Sequence, residues 1–63
     1  MKKVEFLNFV ESFLERTGIS ATTFGIKAVN DSRIVFMLRE GRECREETQE
    51  RVLDFINNYQ EEK

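Results

Sequence analysis

The stretch from Ile19 to Arg42, ISATTFGIKAVNDSRIVFMLREGR, decides the predicted fold. It contains two short segments of helical periodicity, separated by the polar pair Asn30-Asp31. Asparagine is one of the few non-glycine residues that tolerate the left-handed backbone conformation of a tight turn between helices. The stretch therefore predicts a helix, a tight turn and a second helix that carries arginine, which is the layout of a helix-turn-helix DNA-binding unit.

Capping residues predict where these two helices begin and end. Ser20 and Asp31 are expected N-caps, since serine and aspartate side chains accept backbone N–H groups at the start of a helix. Gly41 is the expected glycine just beyond the second helix. These signals predict helices over residues 20–29 and 31–40.

Two amphipathic segments flank the central stretch and predict helices over residues 3–16 and 46–60. The first has apolar residues at helical spacing over a face of roughly 160°, and Gly18 is expected to end it. We expect most of this broad face to pack in the core. The rest either completes the core or contacts a second subunit. The prediction is a single all-α domain over residues 1–63, a compact four-helix domain with a central helix-turn-helix.

Packing between the second and third predicted helices depends on a small residue. Gly25 lies inside the second helix, where glycine costs about 1 kcal/mol relative to alanine. It either allows the two backbones to approach closely or is a weak position in a surface helix, and we expect the close approach. On the third helix, Val35 and Leu38 are expected to face the core, with Ile34 at its margin.

The opposite face of the third predicted helix has an unusual composition for a solvated surface. It carries a polar, a cationic and two large apolar side chains, at Ser32, Arg33, Phe36 and Met37. In a major groove, Phe36 and Met37 would contact thymine methyl groups and Arg33 a guanine edge. The alternative is that Phe36 packs against the last helix and Arg33 pairs with an acidic residue.

Charge is unevenly distributed along the chain. The net charge is −2, whereas many DNA-binding domains are strongly basic because they neutralise phosphates. Cationic residues nevertheless cluster around the third predicted helix, at Lys27, Arg33, Arg39, Arg42 and Arg45. Lys27, Arg42 and Arg45 are candidates for phosphate contact, because residues that flank the groove need only charge and reach. Glu40 and Glu43 lie between the last arginines, so a surface network of ion pairs is the alternative.

Several functions are not expected from this composition. The chain has no histidine, a single cysteine and no glycine-rich phosphate loop, so we expect neither an enzyme nor a metal or cofactor site. Cys44 is expected to be a small half-buried residue, and a redox switch is the alternative. No apolar run approaches the roughly 20 residues of a membrane span, and no signal peptide is recognised, so we expect a cytoplasmic protein.

The stretch from Ile19 to Arg42 resembles, without a gap, the helix-turn-helix of Cro- and cI-like phage repressors, the XRE superfamily. Members read roughly L-S-x-x-x-L-A-x-x-L-G-V-S-x-x-x-I-S-x-I-E-x-G-K, and matching slots hold Ile19-Ser20, Phe24-Gly25, Ala28, Asp31, Val35, Leu38 and Gly41-Arg42. It looks closer still to small regulators of bacterial and prophage origin whose core reads F-G-x-x-A-x-N-D-x-x-x-V-x-x-L-R-x-G-R. The turn glycine of the larger family is Val29 here, so either Asn30 makes the turn or the turn is tighter.

This resemblance implies a lambda-repressor-like fold and a role for each exposed residue. The slots that face base edges hold Ser32, Arg33 and Met37, with Phe36 beside them, and the region that meets phosphates holds Arg39, Arg42 and Arg45. The leading hypothesis is a sequence-specific regulator that binds double-stranded DNA as a homodimer, since one recognition helix reads only a few base pairs. The alternative is a small acidic protein-binding module on the same scaffold, such as an antirepressor, an antitoxin-like factor or a phage-encoded inhibitor of a host protein.

Overall fold

A computed structural model describes residues 3–59 and shows an all-α domain. Four helices follow one another along the chain: α1 (Lys3–Thr17), α2 (Ala21–Val29), α3 (Ile34–Arg39) and α4 (Glu46–Asn58). They enclose one apolar core of Phe6, Val10, Phe13, Leu14, Phe24, Ile34, Val35, Leu38, Val52 and Ile56. The predicted all-helical four-helix domain is therefore confirmed.

The ends of α1 and α2 follow the predicted capping signals. Gly18 has a positive φ of 78°, and its N–H donates to the Leu14 carbonyl at 2.8 Å. Ser20 precedes α2 in an extended conformation, and its hydroxyl oxygen accepts the Thr23 N–H at 3.1 Å. Both caps are local interactions, which explains why residue type alone predicts them.

Helix α3 is shorter than predicted. The predicted helix from Asp31 to Glu40 is wrong at both ends, because the observed helix runs only from Ile34 to Arg39. The Asp31 carboxylate accepts the Arg33 N–H at 2.9 Å and the Asp31 carbonyl accepts the Ile34 N–H at 3.4 Å. Asp31 thus stabilises a turn before the helix, and the regular helical geometry begins only after it.

The far end of α3 is closed by glycine, as predicted. Gly41 has a φ of 93°, its N–H donates to the Leu38 carbonyl at 3.1 Å, and the Arg42 N–H donates to the Met37 carbonyl at 3.1 Å. This pair of bonds is a Schellman motif, and it leaves Glu40 as the C-cap residue outside the helix.

Helix α4 supplies the remaining wall of the core. Val52 and Ile56 are buried, whereas Phe55 and Tyr59 are half-buried at the edge of an aromatic cluster with Phe13. The ring centroids of Phe13 and Tyr59 are 5.2 Å apart with nearly perpendicular planes, a favourable edge-to-face arrangement. The helix ends at Asn58, two residues before the predicted end, and Gln60 lies outside the described residues.

Candidate nucleic-acid interface

The turn between α2 and α3 sets the position of the candidate site. Asn30 adopts the left-handed conformation (φ 59°, ψ 37°), and its N–H donates to the Ile26 carbonyl at 3.0 Å. The Asp31 N–H then donates to the Gly25 carbonyl at 3.1 Å, which folds the chain back over α2. The predicted role of Asn30 as the turn residue is confirmed.

Gly25 allows α3 to lie directly against α2, which confirms the predicted close approach. A Cβ atom placed on Gly25 would overlap the Asp31 carbonyl oxygen and would lie 3.0 Å from Cγ2 of Ile34. Ile34 is only 2% exposed, so its predicted place at the margin of the core is wrong. The contact with Gly25 buries Ile34, and this burial fixes how α3 is rotated about its axis.

The outer face of α3 carries the side chains predicted to contact bases. Arg33 is exposed and Phe36 is 42% exposed, although Phe36 is large and apolar. Ser32 is half-buried, and so is Met37, which packs against the core. The prediction that Met37 lies on the face opposite the core is only partly correct, because Met37 lies one turn after the buried Ile34 and also packs partly inward.

One shallow hollow gathers half of the predicted contact residues. Its lining consists of Arg33, Phe36, Met37, Glu40 and Arg42. The structure thus brings together three of the four predicted base-contacting residues and one predicted phosphate-contacting arginine. The hollow combines two cationic and two apolar side chains, and Glu40 is its acidic member.

Arg39 is held by an acidic residue on a different helix. Its Nε donates to Glu11 Oε2 at 2.6 Å and its Nη2 donates to Glu11 Oε1 at 2.8 Å. Its guanidinium carbon also lies 5.5 Å from the centroid of the Phe36 ring. The hydrogen bond and charge of Arg39 lower the pKa of the Glu11 carboxyl, although partial burial opposes this shift, and the same hydrogen bond raises the pKa of Arg39.

Glu11 is not among the residues that the sequence predicts for this site. Glu11 lies on α1, 28 residues before Arg39, and nothing in its local sequence distinguishes it from the other acidic residues of that helix. Only the packing of α1 against α3 makes the two side chains neighbours.

Arg42 has an acidic neighbour within the same loop. Its Nε lies 3.7 Å from Glu40 Oε1, and both side chains are about two-thirds exposed, at 69% and 65%. A pair this exposed contributes little to stability and is readily exchanged for another anion. The interleaved acids therefore weaken the positive potential around Arg42 without burying its charge.

The other two residues predicted to contact phosphate line different surfaces. Lys27 lies along a groove between α2 and α4, beside the exposed Ile26 and near Tyr59. Arg45 lines a hollow with Cys44 and Glu43 on the side of α3 that faces α4. Neither residue lines the hollow around Phe36, and their predicted roles stay predictions.

Cys44 is half-buried, as predicted. Burial is the main cause that raises the pKa of its thiol, so the protonated form is favoured. Among residues 3–59, no group of three or more histidine, cysteine or acidic side chains is placed to hold a metal ion. The helices of this same region are also too short or too polar for one to cross a bilayer.

Comparison of the chain with family models finds no match, and comparisons with curated proteins and with solved structures find none either. The similarity to the phage repressors therefore stays a prediction, carried by the residues between Ile19 and Arg42.

Proposed function

We propose that this protein is a transcriptional regulator that binds double-stranded DNA in a sequence-specific way, with α3 in the major groove. The observation that carries the proposal is the hollow on the outer face of α3, where Arg33 and Phe36 are exposed next to Met37 and Arg42. The left-handed Asn30 and the small Gly25 support it, because a helix-turn-helix requires a tight turn and close packing of its two helices.

Each side chain of the hollow has a chemical role in this proposal. Arg33 presents a planar guanidinium to the O6 and N7 acceptors of guanine, and the apolar Phe36 and Met37 contact a thymine methyl group. Arg42 binds a backbone phosphate after exchanging its weak pairing with Glu40. Such a regulator would work in the cytoplasm, on the DNA.

The proposed regulator acts as a homodimer. Helix α3 has only six residues, so one copy reads too few base pairs for a specific site. Two copies would bind half-sites about one helical turn apart. Phe9 is exposed on the broad apolar face of α1 and borders a hollow shared with Ile56 of α4. We assign the contact between the two copies to this part of α1.

Selection of bound sequences from a random duplex library, followed by anisotropy titration over a salt series, tests the proposal. We expect an enriched motif, an affinity that falls with salt by roughly 0.9 log units per log unit of salt for each phosphate contacted, and a loss of about 1–3 kcal/mol in Arg33→Ala. Arg51→Ala is the matched control, because it removes the same charge from an exposed position on α4 that lines neither the hollow around Phe36 nor the hollow beside Phe9. No binding at about 50 mM salt, or an equal loss in both variants, contradicts the proposal.

A second candidate function is a protein-binding module on the same scaffold. The pairing of Arg39 with Glu11 and of Arg42 with Glu40 favours it, because both pairs reduce the positive potential that DNA binding uses. The net charge of −2 points the same way, since a small acidic protein is suited to cover a basic surface on a partner. A stoichiometric complex with one host protein, together with no retained DNA, would favour this candidate over the first.

A further inference from the structure

The Arg39 guanidinium is held on two sides by side chains from two helices. Glu11 on α1 engages its Nε and Nη2 atoms at 2.6 and 2.8 Å, and the Phe36 ring on α3 lies 5.5 Å from its central carbon. A bidentate carboxylate fixes the plane of a guanidinium, and an aromatic ring next to it restricts rotation out of that plane. Arg39 is thus preorganised although its side chain is 43% exposed.

Glu11 leaves part of the guanidinium free to bind another anion. The carboxylate takes Nε and one N–H of Nη2, so the N–H groups of Nη1 and the second N–H of Nη2 are not used by Glu11. One N–H of Nη1 and the second N–H of Nη2 lie along the end edge of the guanidinium, which matches two oxygens of one phosphate in a bidentate arrangement.

We propose that Glu11 is a positioning residue for DNA binding: it holds Arg39 against Phe36 so that the end edge of the guanidinium binds one backbone phosphate. The inference rests on the proposed function and adds Glu11 to the site. It also changes the expected role of Phe36, whose exposed ring supports Arg39 in addition to any contact with a base.

Whether Glu11→Gln weakens or tightens DNA binding distinguishes a positioning role of Glu11 from a purely electrostatic one. Glu11→Gln makes the protein more positive by one charge, which by itself would tighten binding to a polyanion. Loss of the carboxylate also releases Arg39, which must then lose side-chain freedom when it binds the phosphate. If Glu11 positions Arg39, the second effect outweighs the first and the variant binds DNA more weakly.

The test is a set of duplex affinities for the wild-type chain, Glu11→Gln, Arg39→Ala and the double variant, measured with the duplex selected above. We expect Glu11→Gln to weaken binding about fivefold, the upper end of what an exposed ion pair contributes. In the Arg39→Ala background there is no guanidinium to position, so the same change should act through charge alone and leave binding unchanged or slightly tighter. Glu15→Gln is the matched control, since Glu15 is exposed one turn further along α1 and its neutralisation should leave binding unchanged or slightly tighter.

Melting curves show whether each variant is folded, and all affinities are measured well below the lowest melting temperature. Tighter binding by Glu11→Gln, or the same loss in the Arg39→Ala background, would overturn the positioning role. Those results leave the proposed function intact if Arg33→Ala still weakens binding. If the wild-type chain binds no duplex, the proposed function fails and this inference fails with it.

Discussion

The close approach of the turn to Gly25 gives the sharpest prediction: replacing Gly25 with alanine should destabilise the domain. The added Cβ would overlap the Asp31 carbonyl oxygen and would lie 3.2 Å from the Asp31 carbonyl carbon. Both are backbone atoms of the turn, so no side-chain rotation relieves the overlap. The turn has to move outward, which strains the hydrogen bond from the Asp31 N–H to the Gly25 carbonyl.

The magnitude follows from three effects. Overpacking costs typically about 1–3 kcal/mol, and a rigid backbone neighbour places Gly25→Ala near the upper end. Weakening the hydrogen bond at the turn destabilises the fold by about 1 kcal/mol more, whereas the better helix propensity of alanine stabilises it by about 1 kcal/mol. The net loss is therefore about 3 kcal/mol, which in a domain of this size lowers the melting temperature by about 20 °C.

Thermal and urea denaturation followed by far-UV circular dichroism measure this loss. Thr22→Ala is the matched control, because Thr22 is exposed on the same helix and its replacement changes helix propensity without adding a contact. We expect the control to be equal to or slightly more stable than the wild-type chain. A Gly25→Ala variant as stable as the wild type would refute the close approach, and with it the argument that this residue sets the rotation of α3.

Three other changes test single features of the structure. Asn30→Gly should leave the free energy of unfolding in urea unchanged or slightly higher, whereas Asn30→Ala should lower it by about 1 kcal/mol. The reason is that glycine tolerates a φ of 59° without strain and alanine does not. Equal effects of the two changes would argue against the left-handed turn. Arg39 lowers the pKa of Glu11 on folding, so the stabilisation from this pair is present above the ordinary carboxylate pKa and is lost as the pH falls through the lowered value. At neutral pH, Glu11→Gln should therefore be less stable than the wild type by less than about 1 kcal/mol, and in acid the two should be equally stable. A difference in stability that grows in acid would contradict this. Burial raises the pKa of Cys44, so at neutral pH a thiol reagent should label the folded protein more slowly than the urea-unfolded chain, and equal rates would show an accessible thiol.

Local features of the sequence were sufficient for most of the fold. The α1, α2 and α4 helices begin within a residue of where periodicity and capping place them, and Gly18, Ser20, Asn30 and Gly41 have the backbone roles expected of their residue types. These are interactions between residues a few positions apart, and the side-chain chemistry that determines them is visible in the sequence.

The start of α3 was predicted less well because two local signals compete there. Asp31 is a good N-cap by type, but the same carboxylate also stabilises a turn by accepting the N–H two residues on. Sequence alone does not decide between these outcomes. In the structure, Asp31 stabilises a turn that packs closely against Gly25, and the regular helix begins at Ile34.

By itself, then, the sequence determined an all-helical domain, most of its caps and the candidate residues from which a DNA-contacting face is proposed. Only the tertiary structure decided which of these residues share a surface: it buried Ile34, turned Met37 partly inward and paired Arg39 with Glu11. The physical reason is range, since helix periodicity and capping act within one or two turns. The Glu11–Arg39 pair instead joins residues 28 positions apart, and it depends on how α1 and α3 pack, which the whole core sets.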